Sequence, residues 1–154
     1  SLHDALPISP YMKAGLKASA GTTDSETLRT RRFLLVDNAI YIEKDMAQAV
    51  KYERDTMPAD WETRPGSLNR FAAWCAEFKV NLEEAETMAR KAVELGKPGR
   101  PKAAYLDTLA EVLAARGKPA EALEAAQKSV TEDPKNPGYP KQVERFKALV
   151  SGGH

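Results

Sequence analysis

Small residues recur at a fixed interval along this chain, and that interval limits what it can fold into. Ala85, Met88, Ala89, Ala92 and Val93 form a stripe at helical spacing, and Ala122, Ala125, Ala126, Ser129 and Val130 repeat it. Ala49 opens a fainter copy upstream. The step from Ala49 to Ala85 is 36 residues and from Ala85 to Ala122 is 37. Self-similarity at that period is the mark of an array in which each repeat is one supersecondary unit. A single unit cannot cover its own apolar face, so neighbours must stack.

The unit at 103–136 is the clearest. Leu106, Leu109, Ala110 and Leu113 fall at i, i+3, i+4 and i+7, one face of a helix. Gly117 suits a helix C-terminus, Pro119 the first turn of the next helix, and Asp133-Pro134 a stop. The loop between these helices has only two or three residues, so they are antiparallel neighbours. The unit at about 66–98 repeats the design. Leu68, Phe71, Ala72, Cys75 and Ala76 make its first stripe, Asn81 and Glu84 read as a capping box, and Gly96-Lys97-Pro98 ends it. The unit at about 30–60 places Phe33, Val36 and Ile40 on one side, offers Asp45 and Gln48 as a second capping box, and stops at Met57-Pro58. After Pro140, Val143, Phe146 and Val150 predict a helix over 140–150. It reads either as a cap on the open end of the stack or as an incomplete fourth repeat, with Lys141, Glu144, Arg145 and Lys147 on its solvated side. No strand pattern occurs. The expected class is all-α: antiparallel helix pairs stacked as a short α-solenoid over 27–150, with a C-terminal capping helix.

Residues 1–26 carry no period and are expected to be a disordered leader and linker. Ser1 to Ser9 resembles a sequencing adapter translated into a metagenomic reading frame, and the chain has no Met at position 1. The chain is therefore expected to be a truncated product, and deleting residues 1–22 is expected to leave stability unchanged. Composition narrows the chemistry. Lys and Arg number 23 against 22 Asp and Glu, without the basic excess of a nucleic-acid binder or a polybasic membrane anchor. No apolar run approaches about 18 residues. The lone cysteine excludes an intramolecular disulfide. The two histidines, His3 and His154, lie at the ends, away from any internal triad or metal site.

The repeat residues resemble the tetratricopeptide repeat family, whose unit is about 34 residues. In 103–136, Leu109-Ala110 match the Leu–small pair of the first helix. Gly117 matches the loop glycine, Ala122 and Ser129 the small second-helix positions, and Pro134 the terminal proline. Leu113 and Ala126 stand where the family usually has aromatics. The unit from about 66 keeps Ala72-Ala73, Ala85 and Ala92 but has Val80 at the glycine position, and the unit from about 30 has Lys44 there. The resemblance implies a right-handed solenoid that binds a protein or peptide partner on a concave face lined by the first helices. By register, that face holds Arg31, Asn38 and Tyr41, then Arg70, Trp74 and Glu77, then Asp107 and Glu111. The residues themselves agree in part: Asp107 and Glu111 lie four apart, off the Leu106–Leu109–Leu113 stripe. Trp74 lies off its own stripe, either as an interface anchor or packed beneath a neighbouring unit. Leu34 and Phe71 occupy two sites where some members carry the Lys and Asn of a peptide-carboxylate clamp, which argues against that specificity. Leu68-Asn69-Arg70-Phe71-Ala72-Ala73-Trp74 and Leu106-Asp107-Thr108-Leu109-Ala110 are also similar to repeat tails that follow bacterial thioredoxin-like domains. That implies an alternative role as the accessory region of a larger enzyme. The compartment would be periplasmic in that case and cytoplasmic by default.

Other motifs read as structure. Trp74-Cys75-Ala76-Glu77-Phe78 has Phe78 where a redox pair needs its second thiol, and Cys75 falls on the apolar stripe. Glu83-Glu84 sit in a first helical turn, where the macrodipole favours acids. Arg29-Thr30-Arg31-Arg32 is flanked by Asp24, Glu26 and Asp37. Lys97-Pro98-Gly99-Arg100-Pro101-Lys102 is a basic loop between repeats. The expectation is a non-enzymatic module with no catalytic residue, cofactor or metal, and with neither nucleic acid nor membrane as partner.

Overall fold

The computed structural model describes residues 8–152. Among the described residues every regular element is helical, and the helices pack as neighbouring pairs. The chain forms two compact units, the first ending at Pro58 and the second starting at Ala59, where one domain over 27–150 was expected. The division follows the proline stop after Met57.

The second unit holds α4 (Pro65–Phe78), α5 (Leu82–Leu95), α6 (Arg100–Ala115), α7 (Pro119–Glu132) and α8 (Gly138–Gly152). Each helix packs on the next, and α4 also packs on α6. The predicted stripes form the core: Leu68, Phe71, Ala72, Cys75, Leu106, Leu109, Ala110 and Leu113 are all buried. Burying each Leu or Phe contributes about 1.5–3 kcal/mol. Ala85, Ala89, Ala92, Ala122 and Ala126 are fully enclosed, so these helices meet through methyl groups at close range. Gly117 closes α6 at φ 74°, as a residue without Cβ can. Gly96 serves a different need. It sits at φ −69°, and a Cβ there would fall 2.7 Å from the Tyr105 ring of α6. It is glycine because α6 comes that close.

The first unit holds α1 (Ile8–Ala18), α2 (Ser25–Asn38), a π-helical turn (Ala39–Glu43) and α3 (Met46–Asp55). Helix α1 corrects the leader expectation over 8–18. Met12 is buried, α1 packs on α2, and the Ser19 hydroxyl donates to the Gly15 carbonyl at 2.7 Å. Ile8, Met12 and Leu16 fall at helical spacing, and the contact with α2 stabilises the helix. The reading of the first residues as foreign sequence falls, up to Pro7, outside the described residues. Asp24, placed in the linker, caps α2 by accepting from the Thr27 N–H at 2.8 Å. Asp45 caps α3 as expected, accepting from the Gln48 N–H at 2.9 Å.

Three local expectations are overturned. Phe33 is 41% exposed, because the inward side of α2 follows Val36 and Ala39. Asn81 is left-handed (φ 51°), and its side chain donates to the Glu84 carboxylate at 2.5 Å instead of accepting from a backbone N–H. Val150 is 39% exposed, whereas Val143 and Phe146 are the side chains that α8 buries.

Candidate functional site

Short loops make α4 and α6 run in the same direction, and their contact leaves a groove. Ala73, Ala76 and Glu77 of α4 face Asp107, Thr108 and Glu111 of α6 around a cavity of about 350 Å³. The small side chains at 73 and 76 keep it open. Three residues expected at a binding face, Glu77, Asp107 and Glu111, thus line one space, although 30 positions separate Glu77 from Asp107.

The two α6 carboxylates sit in unlike surroundings. Oδ1 of Asp107 is buried and accepts no hydrogen bond. Burial raises the pKa of Asp107, the Glu111 charge raises it further, and Arg145 opposes both. Glu111 is met from α8: Gln142 Nε2 donates to it at 3.3 Å, and the Arg145 guanidinium pairs with it. Arg145 also lies over the Phe146 ring, 4.5 Å from its centre. Helix α8 therefore supplies the cation at this groove.

The remaining expected residues do not line this groove. Trp74 is half-buried with its ring 6.4 Å from that of Phe71 and 5.1 Å from that of Phe78, so it packs among its own helix's aromatics. Arg70 is exposed on α4. Arg31, Asn38 and Tyr41 belong to the first unit. The Arg31 guanidinium donates to the Leu16 carbonyl and to the Ser19 hydroxyl, the latter at 3.0 Å, which ties α1 to α2. Asn38 Nδ2 donates to Glu43 at 2.9 Å across the π-helical turn, and Tyr41 is half-buried within that turn. Arg31 and Asn38 are thus bound within the fold, because α1 and the π-helical turn supply acceptors that the repeat register does not contain.

Two features of the second unit were not singled out from the sequence. The first is Glu86 of α5, buried among cations. Arg90 of its own helix donates to Oε1 at 2.8 and 2.9 Å, while Lys118, at 3.1 Å, and Arg116 both donate to Oε2. Burial pushes the Glu86 pKa up, but these hydrogen bonds outweigh it and hold the group at about 2. Only the i, i+4 spacing to Arg90 was legible beforehand. The second is a larger groove of about 550 Å³ between α5 and α7, floored by α6.

Cys75 is fully buried, as its place on the stripe implied. Among the described residues no group of three His, Cys, Asp or Glu side chains could hold a metal ion. No described helix is long and apolar enough to cross a membrane. No protein-family model and no curated protein matches the chain.

Proposed function

We propose that this chain is a non-enzymatic, tetratricopeptide-like scaffold module that binds a peptide or protein segment along the first helices of its repeats. The observation that carries this reading is the α4–α6 groove, where Glu77, Asp107 and Glu111 from two successive repeats line one space. Asp107 supports it further: a buried carboxylate oxygen without a donor costs folding free energy. A partner that donates to it would recover that cost.

A displayed library of short random peptides, selected on the full chain, tests the proposal. Enriched peptides should bind at micromolar affinity. Asp107→Asn combined with Glu77→Gln should weaken them by about tenfold, the scale of one lost charged hydrogen bond. Peptides whose affinity ignores both substitutions, or a selection that enriches none, would overturn it.

A further inference from the structure

Helix α1 lies on one face of α2, and that face reads three features of it. Met12 is the α1 side chain buried there, with Gly15 and Leu16 half-buried one turn on. Gly15 answers a close approach: a Cβ at that position would fall 3.2 Å from the Leu34 side chain of α2. A residue larger than alanine would therefore push α1 off α2. The third feature is the end of the helix. The Ala20 N–H turns to the Lys17 carbonyl, which leaves the Leu16 carbonyl without a backbone donor. Arg31 of α2 supplies a donor, and its guanidinium also donates to the Ser19 hydroxyl at 3.0 Å. A cation at that place complements the negative end of the α1 dipole.

The hold is light for a helix of this size. Lys13, Ala14, Lys17 and Ala18 are exposed, and Tyr11 is 77% exposed. A helix of 11 residues is marginal in water on its own, so α1 stays folded through its few contacts with α2. Six residues, 19–24, join the two helices, so α1 reaches its seat as a tethered segment. Its advantage over a free helix of the same pattern is the effective concentration of that tether, on the order of millimolar.

We propose that α1 is a displaceable occupant, and that the α2 face it covers takes a helix of a partner protein built to the same pattern. That pattern is a long apolar side chain, a glycine three residues on, and a serine just past the helix end, as in Met12, Gly15 and Ser19. Anchors on one face are how a surface reads an amphipathic helix. Leu34 excludes a bulky residue at the middle position, and Arg31 fixes the register by gripping the last turn. This face belongs to the first unit and shares no residue with the α4–α6 groove.

The test uses the full chain and a synthetic peptide of residues 8–22. On wild type, the peptide at roughly millimolar concentration should speed hydrogen exchange of the α1 amides and leave those of α2 protected. Met12→Asp unseats α1 without altering the α2 face. Fluorescently labelled peptide should bind this variant at least about tenfold more tightly than wild type, where the tethered α1 competes. Adding Arg31→Ala to the variant should weaken the peptide by about tenfold. A peptide carrying Gly15→Leu should bind at least about tenfold more weakly than the native one. Asp107→Asn with Glu77→Gln should leave all of this unchanged, which separates it from the α4–α6 reading. Unaltered α1 exchange, equal affinity of the peptide for wild type and Met12→Asp, or equal affinity of the two peptides would overturn the proposal. Exchange of α1 between two chains, read as a dimer by light scattering, would also overturn it, by making a second copy the occupant.

Discussion

Replacing Glu86 with Gln removes one charge and little volume, which isolates the electrostatic part of its network. The folded pKa is about 2 against an ordinary value of 4.5. That difference corresponds to about 3 kcal/mol of stability at neutral pH, at about 1.36 kcal/mol per pKa unit. The Glu86 side chain is only 9% exposed, but its cations are 28–49% exposed, so solvent screening makes this figure an upper bound. Because the folded pKa is depressed, the contribution is complete above the unfolded pKa and is lost as pH falls toward 2. At pH 3 about 1.4 kcal/mol remains. The variant leaves Arg90, Arg116 and Lys118 without their shared acceptor, and each is exposed enough to rehydrate. Urea denaturation of wild type and Glu86→Gln at pH 7 should therefore differ by between about 1 and about 3 kcal/mol, with unchanged m-value. The difference should shrink steadily between pH 5 and about pH 2. A difference below about 1 kcal/mol at pH 7, or one that does not vary with pH, would refute the claim that this ion cluster fastens α5 to the α6–α7 turn.

Ala122→Leu should lower the melting temperature of the second unit, since forcing methylenes into a closed α6–α7 contact costs about 1–3 kcal/mol, and calorimetry reads it directly. Asp107→Asn should stabilise the chain at pH 7. The folded pKa is raised, so ionisation costs stability as pH rises through the carboxylate range, and the gain should vanish in denaturation at pH 3. Cys75 should react slowly with a thiol reagent in the native state and at once in urea, and fast native labelling would contradict its burial. Deleting residues 1–22 removes α1 together with the Arg31 acceptors, so proteolysis should cut α2 faster in the truncated chain than in the full one.

Helix content, the antiparallel pairing of short-looped neighbours and the core of the second unit follow from the sequence alone. Leu68, Phe71, Ala72, Cys75, Leu106, Leu109 and Leu113 fall at helical spacing, and burial of such a stripe is the strongest driving force a sequence displays. Gly117 and Pro119 set a helix end and a helix start because their backbone preferences act locally. The tertiary structure decided whatever depended on a distant neighbour. Helix α1 is held by Met12 burial and by the bonds from Arg31, 15 residues beyond Leu16, which no local pattern announces. Phe33 and Val150 sit at the margins of their stripes, and the outline of the adjoining helices leaves them exposed. The α4–α6 groove unites Glu77 with Asp107 only because α4 packs directly on α6. Arg90 lowers the Glu86 pKa most, from within α5, and Lys118 and Arg116, brought from 32 and 30 residues away by the turn of one helix pair, lower it further. Local preference is written residue by residue, whereas the environment of a charge is a sum over neighbours that only folding brings together.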